Sequence, residues 1–264
     1  MSGRVLVVGA MGRMGERVRA ALADHPTLSL GAAVERPSHP DIGRELAAGV
    51  VLGDDGADTL GSVDAAIIFA TPNATLELLR RAADAGVPCA VGTTGFSPDQ
   101  RKEIAILANR VGIVLAANFS VAVNVLFHLA RNAARLLGDG FDAEILELHH
   151  SAKVDAPSGT ALRIGEAVAE GRNQELKDRA VLAREGLTGP RPAESIGIQT
   201  LRGGDNPGEH TLYFVSQGER LELAHRASTR DHFARGAVRA VGWLLEQGPG
   251  LYDMEQVLGL GAGD

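Results

Sequence analysis

Two repeating patterns of apolar and polar positions share this chain, and where one gives way to the other marks its organisation. Residues 4–8 form a short apolar run, and residues 12–23 follow with apolar positions at helical spacing. Similar runs recur at 28–34, 65–69, 87–91 and 113–116. Between them, 73–85 has helical periodicity and stops at Gly86. A further helix begins at Ser97, where Pro98 suits the first helical position and Gln100 completes a capping-box spacing. Short strands alternating with helices predict a parallel, doubly wound sheet.

Beyond residue 120 the order changes. Residues 121–137 read as one long helix, 144–150 as a strand and 161–170 as a helix, whereas 176–192 is polar and irregular. Strand-like runs at 195–201, 211–215 and 220–227, separated by turn-rich stretches, predict an antiparallel meander. An amphipathic helix over 230–246 closes the pattern, with Ser228 or Thr229 as its N-cap. The predicted plan is an α/β protein. Residues 1–119 form a first domain on a doubly wound parallel sheet. Residues 120–228 form an inserted α+β domain on a mixed, largely antiparallel sheet, and the helices of 229–264 return to the first domain.

A length of 264 residues fits about two domains, and 45% hydrophobic with 22% charged residues permits a sizeable core. The net charge of −7 argues against a generic nucleic-acid surface, which needs clustered Lys and Arg. A local basic pocket for an anionic small molecule remains compatible with it. The only cysteine, Cys89, excludes an intramolecular disulfide and a multi-cysteine metal site, and its apolar run makes it a buried strand residue. No apolar stretch reaches the roughly 18 residues of a membrane span, and the N-terminus enters the first strand too soon for a signal segment. A cytoplasmic protein without membrane attachment is expected.

The first strand leads into Gly9-Ala10-Met11-Gly12-Arg13-Met14-Gly15, a glycine turn opening a helix. Glycines permit a tight turn and close backbone approach of a pyrophosphate, and the helix N-terminus adds free N–H groups and a positive dipole. Glu35 stands 20 residues after Gly15, following the second strand, where a ribose-binding acid belongs. Arg36 beside it is suited to stacking on adenine or pairing with a 2′-phosphate. The loops after later strands, carrying Phe69, then Gly92, Thr93 and Thr94, then Ala116, Ala117, Asn118 and Phe119, complete the crevice where such sheets bind ligands. A nicotinamide dinucleotide is the expected cofactor.

Residues 149–161, HHSAKVDAPSGTA, concentrate the chemistry. If 144–150 is a strand, Glu147 and His149 share one face, while Leu146, Leu148 and His150 share the other. Histidines that diverge suit separate roles better than joint metal ligation, and no H-E-x-x-H pair or cysteine cluster supports zinc; no metal is expected. No serine occupies a G-x-S-x-G elbow. Imidazoles and Lys153 are suited to proton transfer and anion attraction, and Ser158, Gly159 and Thr160 form a turn able to hold a carboxylate at a helix start. Another two-domain dehydrogenase, or a redox sensor that binds dinucleotide without turnover, shares the first half but gives this segment no work.

Several motifs together resemble the 4-hydroxy-tetrahydrodipicolinate (dihydrodipicolinate) reductase family essentially end to end. They are GAMGRMG at 9–15, Glu35-Arg36, GTTGF at 92–96, AANFSVAVN at 116–124, ELHHSAKVDAPSGTA at 147–161, GEHTLYF at 208–214 and the stretch 220–231. The HH-x-x-K-x-D-x-P-S-G-T-A string is the specific one. The resemblance implies a Rossmann-type first domain and a homotetramer built through the second domain's sheet. The implied substrate is a small cyclic dicarboxylate, reduced by NADH or NADPH in lysine and diaminopimelate biosynthesis. His149 is then the acid/base, Lys153 the proton donor, and His150, Gly159 and Thr160 substrate ligands. Gly9, Ala10, Met11, Gly12, Arg13, Met14, Glu35, Arg36, Gly92–Thr94 and Ala116–Phe119 contact the dinucleotide. The chain departs from some relatives at Ser151-Ala152, which replaces a basic pair, and at Ala122, where many have glycine.

Overall fold

The computed structural model describes residues 3–260; residues 1–2 and 261–264, the outer ends of the two predicted terminal segments, lie outside the described residues. The chain runs β1 (Gly3–Val8), α1 (Arg13–Ala23), β2 (Leu28–Val34), β3 (Glu45–Ala47), β4 (Val50–Gly53), β5 (Ala65–Ile68), α2 (Pro72–Ala85), β6 (Cys89–Val91), α3 (Pro98–Leu107) and β7 (Gly112–Leu115). It continues with α4 (Val121–Leu137), β8 (Asp142–His149), α5 (Gly159–Gly171), α6 (Leu176–Arg179), β9 (Ala180–Val181), β10 (Ile196–Arg202), β11 (Glu209–Ser216) and β12 (Glu219–Arg226). It closes with α7 (Asp231–Leu244), β13 (Gly250–Tyr252) and α8 (Met254–Leu258). One compact unit holds the chain up to Val121 and from Arg230 onward; the other is Ala122–Thr229.

In the first unit the strand order is β13-β7-β6-β5-β1-β2-β4-β3, parallel throughout except for the β3–β4 pair. Alternation explains the double winding. Val5, Val7, Ala65 and Ile67 pack in one core with α1, α7 and α8, whereas Leu6, Ala66, Ile68 and Cys89 pack in another with α2 and α3. Strands buried on both faces read as continuous apolar runs, which is why these were legible. The α3 start has the predicted capping box between Ser97 and Gln100, and α2 ends at Gly86 with φ 70°. Helix α7 seats closely because Gly236 has no side chain: a Cβ there would lie 1.8 Å from the Phe119 carbonyl oxygen. The Arg17–Asp231 ion pair joins α1 to α7. Burial pushes the Cys89 thiol pKa up to about 12, so this cysteine is an inert core residue.

Some expectations need correcting here. Strands β3, β4 and β13 were not predicted; at three to four residues, at or next to the sheet edges, they are too short to show alternation. The N-cap of α7 is Arg230, not Ser228 or Thr229.

The second unit is a mixed five-stranded sheet, ordered β12-β11-β8-β10-β9. The predicted antiparallel meander is wrong at its first step. Strand β10 does not pair with β11; it runs parallel to β8, which lies between them. Parallel neighbours need a crossover, and α5 supplies it between β8 and β10. The glycine-rich residues 203–208 are accordingly not a hairpin turn. They lie against the end of β8, where His150 N–H donates to Asn206 O (2.9 Å) and Gly203 N–H to His149 O (2.9 Å). Only β11 and β12 form the expected hairpin. Helices α4 and α5 cover one sheet face through Phe127, Ala130, Ile164 and Val168, packed on Ala143, Ile145, Ile198 and Leu212.

Candidate active site

The glycine turn that opens the first unit is made mainly of backbone. Chain order places β2 on one side of β1 and β5 on the other, so a crevice opens at the C-terminal end of β1. There Gly9 adopts φ +76°, and a Cβ on it would lie 2.2 Å from the Phe69 carbonyl oxygen. A Cβ on Gly15 would lie 2.1 Å from the Gly9 oxygen, so α1 approaches the turn as closely as glycine allows. Gly12 is the N-cap of α1, with no side-chain bond, and its exposed N-terminal turn includes Arg13 and half-buried Met14. Amides of a first helical turn have no intrahelical partner. Ala10 N–H donates to Val34 O (3.0 Å).

Glu35 joins this turn to β2. Its Oε2 accepts from Met11 N–H (3.1 Å) and its Oε1 from Arg36 N–H (3.1 Å). A carboxylate has about four acceptor positions, so capacity for ribose hydroxyls remains. A cavity of about 840 Å³ lies alongside, lined by Gly9, Glu35, Arg36, Phe69 and the N-terminal half of α2. Asp54, Asp55, Glu77 and Arg81 also line it and were not singled out from the sequence. Arg81 lies 3.7 Å from Asp55 and 3.4 Å from Glu77. No spacing motif marks these four, because they reach the crevice from a loop and from a helix flank.

The later loops join the same crevice. Phe69 meets Phe119 edge-on, with centroids 6.1 Å apart, and a Cβ on Gly92 would fall 2.1 Å from the Phe69 ring. Buried Thr93 is hydrogen-bonded through Oγ1 to Thr75 Oγ1 (2.7 Å) and accepts from Ala70 N–H (3.3 Å). Thr94 and Ala117 are exposed, Ala116 is buried, and Asn118 Oδ1 accepts from Ser120 N–H (2.8 Å).

The second unit's site is made of side chains. The face of β8 covered by α5 presents Ala143 and Ile145, then turns polar at Glu147 and His149, all four buried. Register carries this row across the sheet: Glu147 pairs with Thr200 on β10 and His210 on β11, and His149 pairs with Arg202. His149 Nδ1 is hydrogen-bonded to Glu147 Oε2. Arg202 donates to both Glu147 oxygens (2.9 and 3.1 Å) and to Asp155 O (2.7 Å), tying the lysine-bearing loop to the sheet. His210 lies edge-on to His149, centroids 5.2 Å apart.

Burial pushes the His149 pKa below the usual range, against the opposing pull of Glu147. Burial, with the His149 charge beside it, pushes His210 down to about 3, so His210 is neutral at physiological pH. Burial alone would raise the Glu147 pKa, but hydrogen bonds from Arg202, His149 and the Ser158 N–H hold it below the usual range. Gly208 (φ +144°) faces His149, where a Cβ would come within 2.8 Å of Nε2. Glycine at 208 therefore leaves that nitrogen clear.

Lys153 Nζ lies 2.7 Å from both Asp155 carboxylate oxygens, and its ammonium holds the Asp155 pKa down. Ser158 is buried, and its polar groups turn inward. Its N–H donates to Glu147 (3.1 Å), its Oγ accepts from Ala161 N–H (3.1 Å), and the same Oγ is bonded to His210 Nε2 (3.1 Å). Gly159, which is exposed, and half-buried Thr160 form the first turn of α5. Half-buried His150 lies just past β8. Sequence reading missed Arg202, Thr200, Gly208 and His210 as site residues. All but Thr200 fall within or beside the 208–214 motif or the preceding turn, the one signal that pointed at them.

Two family models divide the chain: "Dihydrodipicolinate reductase, N-terminus" matches residues 3–119, and "Dihydrodipicolinate reductase, C-terminus" matches 122–258. A 4-hydroxy-tetrahydrodipicolinate reductase of Anaeromyxobacter dehalogenans is 48% identical over 98% of this chain and 99% of its own length. One of Geotalea daltonii is 47% identical over 97% and 99%. Among solved structures, dipicolinate-bound dihydrodipicolinate reductase from Paenisporosarcina sp. TG-14 superposes with a TM-score of 0.81, 25% identity, and 96% and 98% coverage. A myo-inositol dehydrogenase from Corynebacterium glutamicum shares the fold alone, at 16% identity and a TM-score of 0.60.

Proposed function

The chain belongs to the dihydrodipicolinate reductase family, and on that premise we propose how its residues divide the work. The reaction is the NADH- or NADPH-dependent reduction of 4-hydroxy-tetrahydrodipicolinate, or its dehydrated form, to tetrahydrodipicolinate, a step of lysine and diaminopimelate biosynthesis. Residues Gly9–Met14, Glu35, Arg36, Gly92–Thr94 and Ala116–Phe119 hold the dinucleotide, whose reduced ring supplies hydride. The close glycine contacts and the carboxylate at the end of β2 fit that group.

His149 acts as acid/base, and Lys153 donates the proton that quenches electron density left on the substrate ring. The Lys153 charge also offsets negative charge developing there. Gly159 and Thr160 hold a substrate carboxylate with first-turn amides and the dipole of the 13-residue α5, and His150 adds a contact. Ser158 acts from behind, keeping that turn in shape. The buried Glu147–His149 pair, on the strand that leads directly to Lys153, supports this reading most strongly.

Residues 1–119 and 229–264 would then form the dinucleotide half, and 120–228 the substrate and assembly half. A homotetramer through the second unit's sheet is supported by the face opposite α5, where Leu201 and Val215 are exposed beside half-buried Leu146, Leu148 and Tyr213. Among the described residues no helix is long and apolar enough to cross a membrane. We propose that the step runs in the cytoplasm, with a small-molecule substrate and no nucleic-acid partner.

A coupled assay tests the assignment. The preceding synthase generates the substrate from pyruvate and aspartate semialdehyde, and nicotinamide absorbance is followed. His149→Gln and Lys153→Ala should each lower kcat by about 10²–10⁴-fold with dinucleotide affinity nearly intact. Dipicolinate, which the Paenisporosarcina protein binds, should compete with the substrate. Near-normal turnover in both variants would remove His149 and Lys153 from these roles.

A further inference from the structure

The roles above leave a fully buried carboxylate unassigned. Glu147 Oε1 accepts from Ser158 N–H (3.1 Å), Thr200 Oγ1 (3.1 Å) and Arg202 Nη2 (3.1 Å). Its Oε2 accepts from Arg202 Nη1 (2.9 Å) and meets His149 Nδ1. These donors come from β10, from the N-cap of α5 and from β8 itself, so the carboxylate is held from several sides. An ionised carboxylate can only accept hydrogen bonds, so the imidazole must be the donor at Nδ1. The other ring nitrogen, Nε2, faces the gap kept open by Gly208.

We propose that Glu147 is a positioning residue: clamped by Arg202, Thr200 and Ser158, it holds His149 as the Nδ1–H tautomer and makes Nε2 the proton-transfer atom. The inference rests on the assignment of His149 as the acid/base. In a neutral imidazole one nitrogen carries the proton and the other the lone pair, and the bond made by the first decides which is which. Without Glu147, either tautomer would be available and the ring would be free to rotate.

The charges around His149 give the inference a titration signature. Glu147 faces it from its own strand, Arg202 from β10, His210 from β11 and Lys153 from the following loop. Of these only Glu147 is negative, and His210 is neutral. Lys153 keeps its partner Asp155, so removing the Glu147 charge leaves the Arg202 charge beside His149 without its carboxylate. The kinetic limb governed by His149 must then move to lower pH.

Nitrogen-15 NMR of histidine-labelled, NADH-saturated wild-type protein is the first measurement, and it is independent of whether any variant folds. His149 should show a protonated Nδ1 and a bare Nε2; the reverse pattern overturns the proposal. In Glu147→Gln, kcat should fall about 10²-fold, with KM for NADH within about twofold. The His149 limb of the kcat pH profile should move down by about one unit, and Glu147→Asp should recover part of both changes. Loss of kcat with the limb unmoved, or kcat kept within about twofold, overturns the proposal in favour of a merely structural carboxylate. If His149→Gln itself turned over normally, the fault would lie in the acid/base assignment and not in the role of Glu147.

Discussion

The glycine turn proposed above as the dinucleotide cradle and the polar row around His149 are built from opposite materials. The cradle consists of backbone: glycines whose absent side chains let Phe69 O, Gly9 O and the start of α1 close together, and one carboxylate accepting two main-chain N–H groups. The row consists of side chains from β8, β10 and β11, buried and saturated with one another's hydrogen bonds. Where backbone makes the site, damage comes from adding atoms, and it should appear in binding. Where side chains make it, damage comes from altering a charge or a hydrogen, and it should appear in turnover and pH dependence.

Gly208→Ala tests that division most severely, because it adds an atom to the side-chain site. The Cβ would sit 2.8 Å from His149 Nε2 on a backbone at φ +144°. With Nε2 as the reacting atom, kcat should fall about 10²–10⁴-fold while the dinucleotide Kd is unchanged, as steady-state kinetics and fluorescence titration would show. A parallel loss in dinucleotide Kd would mean the two sites do not separate in this way.

The converse substitution, Gly15→Ala, places a Cβ 2.1 Å from Gly9 O and 2.7 Å from Ala10 backbone atoms. Overpacking of about 1–3 kcal/mol should weaken the dinucleotide Kd about 10- to 100-fold. At saturating cofactor, kcat should change much less. A variant with normal Kd would show that the turn tolerates displacement.

Acid sensitivity should be a property of the polar row. Burial holds the His210 pKa down to about 3 in the folded chain, against about 6.5 unfolded. Between those values the unfolded chain binds the extra proton, so stability from this group is complete above about pH 6.5 and declines as pH falls toward 3. His149, shifted in the same direction by burial, adds to the decline. From pH 6.5 to 5 the His210 contribution should shrink by about 2 kcal/mol. Urea unfolding across that range should show this loss in wild type and a flatter profile in His210→Gln. Equal slopes would place the acid sensitivity elsewhere.

The smallest effect belongs to cofactor choice, where the cradle does use side chains. Glu35 repels a 2′-phosphate, and exposed Arg36 beside it attracts one. Arg36→Ala should lower kcat/KM for NADPH about tenfold, roughly 1.4 kcal/mol, with less effect on NADH. Glu35→Ala should do the reverse. Equal losses for both cofactors in Arg36→Ala would mean that this arginine stacks on adenine and does not read the phosphate.

The cradle was readable from the chain because its requirements are local. Strand β1, the glycine spacing of 9–15 and an acid 20 residues on specify the turn and its partner within a single βαβ unit. Strands β1, β5 and β6, buried on both faces, announced themselves as unbroken apolar runs. In the second unit, alternation along β8 placed Glu147 and His149 on one face, and the HH-x-x-K string marked the segment. Local pattern could not show that this face is the buried one, since Leu146 and Leu148 lie opposite and are only half-buried. Nor could it show that β10 pairs with β8 in place of β11, because strand partnership is settled by α5 crossing over the sheet. That pairing alone brings Arg202 and Thr200, more than 50 residues away in sequence, onto Glu147. A carboxylate without those donors would be too costly to bury, so the charge of Glu147 and the orientation of His149 are properties of the assembled sheet.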